Sequence, residues 1–419
     1  MRDRQLFEEY LLSNGMRLYH YGGDFPISSF RFQFPVGSAY ATSDNGFIPG
    51  EPHFLEHMLM NRSEKWPGAK ELTRLLGMKA GDDNAATYPH HTIYMLDIPA
   101  QYAELAIDSL IDRTFHPVFA EEDVIRERGV IRNERSKMDK FFPGISHSSK
   151  YYNTEVIHDT LMRPEQRLGA DADIEQITVE TLWKAWDASI VTEGAVVISV
   201  GPHDVEMVKQ KIETLPRKAG RQFKSHIEQA YWVRPEFHTA EFENVSEPSL
   251  EVLWLRERPS LEEWVGVSFV MRLMVNSVQG VLYEELRRQK GWAYHMDWNT
   301  SLYIDQCRYG FYFPLNNLEE IEYTRGVLLE RIQEGLASQI LIKREIERRI
   351  AARAHTYQTA TAIMGGASED LRTYGRIYTE KEIEGAIQKM ASPEWRHHIQ
   401  KTFFTRESFG ETAFFPAKT

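Results

Sequence analysis

A single cysteine, Cys307, stands in a chain of 419 residues. One thiol forms no internal disulfide and builds no cysteine-based zinc site. The solitary thiol fits a reducing compartment. Long apolar runs are missing as well. No stretch reaches 18 apolar residues, so no membrane-spanning helix is expected. The opening MRDRQLFEEYLLSNG is charged and has no apolar h-region, so no signal peptide is expected there. Cationic excess is also absent. Forty-nine Lys+Arg stand against 61 Asp+Glu, a net charge of −12, which argues against nucleic acid as a partner. The expected address is the cytoplasm, with no membrane partner.

What remains is the composition of a folded, soluble protein. It is 42% hydrophobic, 12% aromatic and 26% charged, which excludes a disordered or fibrous chain. At ~150 residues per domain the length asks for two or three domains. The first half opens with two alternating runs, residues 14–21 and 28–41, which read as a hairpin joined by GGDFP. A helix is expected from about Pro52, since proline suits the first turn. Residues 69–77 read as a second helix, 85–99 as one strand, 101–115 as a helix and 121–141 as a long charged helix. Residues 195–215 read as a buried strand, a turn and a helix.

The second half replays this order. Residues 250–257 read as a strand, 264–289 as a helical stretch, 291–315 as a hairpin, and 318–336 and 342–357 as helices. Residues 403–415 read as a docking strand, and the pair Gly365-Gly366 reads as a helix break. The repeated pattern indicates two related α+β modules, 1–217 and 235–419, with a basic, polar linker at 218–234.

The chemistry concentrates at His53-Phe54-Leu55-Glu56-His57. Residues four apart on a helix share a face, so His53 and His57 point the same way. Two imidazoles on one face suit Zn²⁺. Glu56 lies next to His57, in the inverted H-x-x-E-H order. Alone, the motif also fits a helix surface with two solvated histidines. A third protein ligand is needed, and the long charged helix offers Glu127 and Glu134, seven apart and on one face. Seventy-six residues (58–133) separate His57 from Glu134. A solvated helix face explains these two glutamates equally well. His90-His91 and His397-His398 read as strand-end and tail decoration.

HFLEH at 53–57 and ERGVIRNE at 127–134 resemble the inverted-motif zinc peptidases, the pitrilysin/insulinase family, in the bacterial-type branch similar to mitochondrial processing peptidase. The resemblance implies His53, His57 and Glu134 as ligands of one Zn²⁺ per chain. It implies Glu56 as general base and Glu127 as a carboxylate orienting a ligand. Asn84-Ala85-Ala86-Thr87 resembles the family's N-A-x-T edge strand, which implies Asn84 and Ala85 as substrate-binding residues by strand addition. LYEELRRQKGWAY at 282–294 resembles its L-x-x-x-L-R-x-x-x-G-x-x-Y segment. That implies Arg287 holding a substrate carbonyl and Tyr294 donating to the oxyanion.

The implied fold is a clamshell of two homologous α/β-sandwich half-modules, each a mixed or antiparallel sheet with helices on one face. The implied activity is zinc-dependent hydrolysis of unfolded or short peptides in a closed chamber, by a homodimer or a heterodimer with a related subunit. The competing expectation is a non-catalytic scaffold subunit of the same family. The chain departs from the family where Pro52 precedes the first His, and where Met60-Asn61-Arg62-Ser63 replaces F-K-G-T.

Overall fold

A computed structural model describes residues 7–139, 167–224, 237–242, 247–275, 280–302, 306–407 and 409–417. The described residues divide into two compact units. One draws on Met1–Lys137, Arg163–Gln229 and His355–Ile377, and the other mainly on Ala230–Ala354 and Tyr378–Thr419. The second unit is therefore not one continuous 235–419 stretch. Residues 225–234 of the expected linker lie outside the described residues.

The first unit is built on six strands: β1 (Glu8–Leu11), β2 (Arg17–Gly22), β3 (Ile27–Phe34), β4 (Asp82–Thr87), β5 (Thr92–Pro99) and β6 (Val196–Gly201). Their order is β1-β2-β6-β3-β5-β4. The β2 and β6 strands run parallel, and all other neighbours are antiparallel. This corrects two expectations. The runs at 14–21 and 28–41 are not a hairpin, because β6 inserts between β2 and β3. Val197, Ile198 and Val200 of β6 are fully buried, which suits a strand covered on both faces. The span 85–99 is not one strand, because it turns at Tyr88–His91, where Tyr88 N donates to His91 O at 2.8 Å.

Four helices matter for the site: α1 (Glu51–Leu59), α2 (Glu71–Met78), α3 (Ala103–Phe115) and α4 (Glu121–Asp139). On one face of the sheet, Phe34 packs against Tyr94 and against Phe115 of α3, at ring distances of 6.0 and 5.9 Å. The opposite face is covered by the helix Ala360–Tyr374. Its Ile363, Met364, Ala367 and Leu371 bury themselves against Tyr19, Ile198 and Val200. Gly365 and Gly366 sit inside this helix, which corrects the expected break. Thr359 caps the helix, and its tertiary packing outweighs the poor propensity of two glycines.

The second unit carries β7 (Phe237–Phe242), β8 (Ser249–Glu257), β9 (Asp297–Leu302), β10 (Gln306–Pro314) and β11 (Phe409–Pro416). The order is β7-β11-β8-β10-β9, with β7 and β11 parallel and the rest antiparallel. Without β1, the first sheet has the same topology. In each, the first strand pairs in parallel with the last, and the last is followed by the second, fourth and third. The expected replay is thus present as strand order. The β9–β10 pair falls within the expected 291–315, and the tail docks as β11, though over Phe409–Pro416 and not from residue 403, because Phe403 ends the helix Pro393–Phe403. The expected helix at 264–289 is shorter. It runs Leu261–Val275, and after residues 276–279, outside the described set, the chain winds again as a π-helical turn, Tyr283–Gln289.

Candidate metal centre

α1 begins abruptly because Gly50 adopts φ +82°. A Cβ there would also lie 2.4 Å from the backbone of Leu168 and Gly169, so only glycine fits. Pro52 then sits in the first turn at no cost in hydrogen bonds. Phe54, Leu55, Met58 and Leu59 anchor α1 in the core. His53 and His57, one turn apart, are held side by side with ring centroids 4.7 Å apart. α4 brings Glu127 and Glu134 opposite them.

The Nε2 atoms of His53 and His57 each lie 3.7 Å from Glu134 Oε2. That is too long for a hydrogen bond. One donor atom from each of the three residues lies within 4.8 Å of the others. Three Lewis bases thus converge without satisfying one another. Metal–ligand arms of ~2.0–2.1 Å in a tetrahedron place neighbouring donors about 3.4 Å apart, so the spacing fits Zn²⁺ after small side-chain adjustment. Burial pushes His53 down to about 3, aided by His57 and Arg167. It is a neutral imidazole, as a ligand must be. Its Nδ1 is buried with no hydrogen-bond partner among the described residues.

His57 is oriented by a carboxylate. Its Nδ1 lies 3.1 Å from Glu127 Oε2, which places the proton on Nδ1 and leaves the Nε2 lone pair facing Glu134. Burial opposes charge on His57, but the bond to Glu127 and the nearby carboxylates outweigh it and raise its pKa. Burial likewise works against the Glu127 anion, yet the bonds from His57 and Asn61 pull it down to about 2. Glu56, 8% exposed, sits beside the cluster. Burial raises its pKa, partly countered by Thr87 and His57. Thr87 Oγ1 donates to Glu56 Oε2 at 2.6 Å.

Asn84 and Ala85 lie on β4, the edge of the first sheet. Asn84 is exposed, and its Oδ1 accepts the Ala85 N–H at 2.9 Å. The strand is fixed by Asp83, whose Oδ2 accepts from Arg113 Nη2 at 3.0 Å. Both side chains are buried, with 4% and 2% exposure. Arg287 and Tyr294 lie in the second unit. The Arg287 guanidinium sits 4.3 Å over the Tyr294 ring, and that ring is 77% exposed. The structure therefore brings His53, Glu56, His57, Glu127 and Glu134 together, with Asn84 and Ala85 on the adjoining edge strand. His90 and His91 fall in the β4–β5 turn, where His91 stacks on Tyr88, and His398 bonds Glu263.

Two residues of the site escaped the sequence reading. Thr87 was visible only as the last letter of Asn84-Ala85-Ala86-Thr87, and Asn61 only as a departure after the motif. Their roles depend on partners 31 and 66 positions away, a separation no local pattern carries.

A family model described as Insulinase (Peptidase family M16) matches residues 24–165. An uncharacterized zinc protease, YmxG of Bacillus subtilis, is 26% identical over 326 residues, covering 72% of this chain and 71% of that protein. Protease 3 of Escherichia coli is 30% identical over 134 residues, 32% of this chain, and this match spans only 14% of its length. Among solved structures, a protease from Helicobacter pylori superposes with a TM-score of 0.80 at 16% identity, over 98% of this chain and 99% of that one. The peptidase M16 inactive domain from Pseudomonas fluorescens superposes at 0.77 and 14% identity, over 99% of both.

Proposed function

With residues 24–165 matching the insulinase (peptidase family M16) model, we propose that the chain is a zinc-dependent endopeptidase acting on unfolded or short peptides. The observation that carries this reading is the convergence of His53 Nε2, His57 Nε2 and Glu134 Oε2 beside a buried Glu56. The fold alone does not carry it, since an inactive domain shares that fold. A non-catalytic partner subunit is the competing reading, and a complete donor set with an adjacent carboxylate argues against it.

His53, His57 and Glu134 hold the ion in this reading. Zn²⁺ there supplies Lewis acidity and eases ionisation of water near neutral pH. Glu56 takes a proton from the attacking water and returns it to the leaving amine. Thr87 holds one Glu56 oxygen, which fixes the carboxylate for that transfer. The edge of β4, which pairs with no further strand among the described residues, receives an extended peptide by main-chain hydrogen bonding, with Asn84 and Ala85 at the contact. The paired Arg287 and Tyr294 of the second unit serve substrate recognition. The working form is a homodimer, so light scattering should give about twice 48.8 kDa.

The test is cleavage of an unstructured fluorogenic peptide by the zinc-loaded protein. Chelator and Glu56→Gln should each abolish it, and Glu56→Gln should keep its zinc. Undiminished cleavage by Glu56→Gln would remove the base. No cleavage of any peptide by a protein carrying one zinc would favour the partner-subunit reading.

A further inference from the structure

The stretch Met60–Ser63, which follows the metal helix, enters the network behind the site through Asn61. The Asn61 side chain is 3% exposed and makes three hydrogen bonds. Its Oδ1 accepts from Arg126 Nη2 at 2.9 Å. Its Nδ2 donates to Glu127 Oε1 at 3.2 Å and to the His57 carbonyl at 3.3 Å. Arginine only donates, so the amide oxygen must face Arg126. The amide nitrogen is then turned toward two acceptors that both belong to the metal-ligand support. Arg126 is itself fixed by Asp123 at 2.7 Å. Asp123 is fully buried, and Arg62 Nε donates to it at 2.5 Å.

The position demands an acceptor on one side and donors on the other. Aspartate would turn an oxygen toward Glu127 and toward a carbonyl. Leucine would leave Glu127 Oε1 with only the longer bond from Arg126 Nη2, and would leave that guanidinium without its Asn61 acceptor. The terminal torsion of a glutamate is broad, so a carboxylate held at one oxygen only is free to swing. Glu127 is held at both: Oε2 by His57 Nδ1, and Oε1 by Asn61 at 3.2 Å with a longer, 3.4 Å bond from Arg126 Nη2, a residue that Asn61 itself anchors.

We propose that Asn61 is a positioning residue for the metal site. It fixes the Glu127 carboxylate, and through it the orientation and tautomer of His57, so that Nε2 is presented to the ion. The inference rests on the zinc reading of His53, His57 and Glu134.

The experiment measures zinc affinity by chelator competition on the full chain, with no substrate present. Wild type, Asn61→Leu, Asn61→Asp, Glu127→Gln and the double variant Asn61→Leu/Glu127→Gln are compared, and the thermal midpoint of each apo protein reports folding. Asn61→Leu and Asn61→Asp should each weaken zinc binding by about 10-fold, the low end for loss of an outer partner of a metal ligand. In the Glu127→Gln background, adding Asn61→Leu should change Kd by less than about twofold, because the effect passes through Glu127. If Asn61→Leu fails to fold, Asn61→Asp, which keeps the volume, carries the comparison. A wild-type Kd in a folded Asn61 variant overturns the inference. So does an undiminished Asn61→Leu effect without Glu127. A wild-type chain that binds no zinc overturns the site reading itself, a separate and recognisable result.

Discussion

Thr87 and Glu56 are joined by a 2.6 Å hydrogen bond from hydroxyl to carboxylate. One residue ends the edge strand and the other sits mid-helix between two histidines. The bond couples the element that would hold a peptide to the group that would activate water. It also favours the ionised form of a carboxyl whose pKa burial raises.

Thr87→Val keeps the shape and removes this bond. The Glu56 pKa then rises, because a contact favouring the anion is lost. The acid limb of the kcat/KM profile should move to higher pH, with kcat lowered about 10-fold, a fraction of the ~10²–10⁴-fold that a positioned general base contributes. A profile superimposable on wild type would dismiss the coupling.

The edge strand should depend on its buried anchor. Asp83→Ala leaves the Arg113 cation buried without its partner, which costs about 3 kcal/mol or more. The thermal midpoint of the apo protein should drop accordingly. Peptide turnover should fall further than zinc binding, because β4 and not the ligand set is loosened.

Arg287→Ala removes the guanidinium that covers Tyr294. Peptide kcat/KM should decrease while zinc stays at one per chain. Loss of zinc in this variant would contradict the assignment of Arg287 to substrate recognition.

Stability in the second unit should fall from mildly acidic pH to about pH 8. Glu251 is fully buried, and its two oxygens have no hydrogen-bond partner among the described residues. Burial pushes its carboxyl up to about 8, moderated by Arg308. The folded pKa lies above the unfolded one, so the native state keeps its proton longer. The contribution is full below about pH 4.5 and is lost as pH rises toward 8. Glu251→Gln removes the proton from this balance. Its thermal midpoint relative to wild type should climb between pH 5 and pH 8 and level off beyond. A difference independent of pH would show that Glu251 does not titrate there.

The grouping of these side chains was legible because helical geometry is local: spacings of four and seven put His53 with His57, and Glu127 with Glu134, on shared faces, while the division into ion-holding and orienting residues came only from the family resemblance. The sheet order was less legible. Residues 14–21 and 28–41 alternate as hairpin strands do, yet β6, some 160 residues further on, takes the place between them. Nothing in the two runs announces a third strand with a better apolar match. Gly365-Gly366 misled for the opposite reason. Local propensity argued for a break, while burial of Ile363, Met364, Ala367 and Leu371 against the first sheet outweighed it. Asn61 is readable only once Arg126 and Glu127 are seen around it.

The helix Ala360–Tyr374 also sets a schedule for synthesis. Strand β6 completes the first sheet at residue 201, but the helix that covers Tyr19, Ile198 and Val200 ends at residue 374. At ~5–20 residues per second, the ribosome needs roughly 10–35 s to deliver it. Through that interval the sheet's second apolar face must be shielded by something else, so a nascent chain stalled before residue 360 should be a chaperone client, and release at full length should end that dependence.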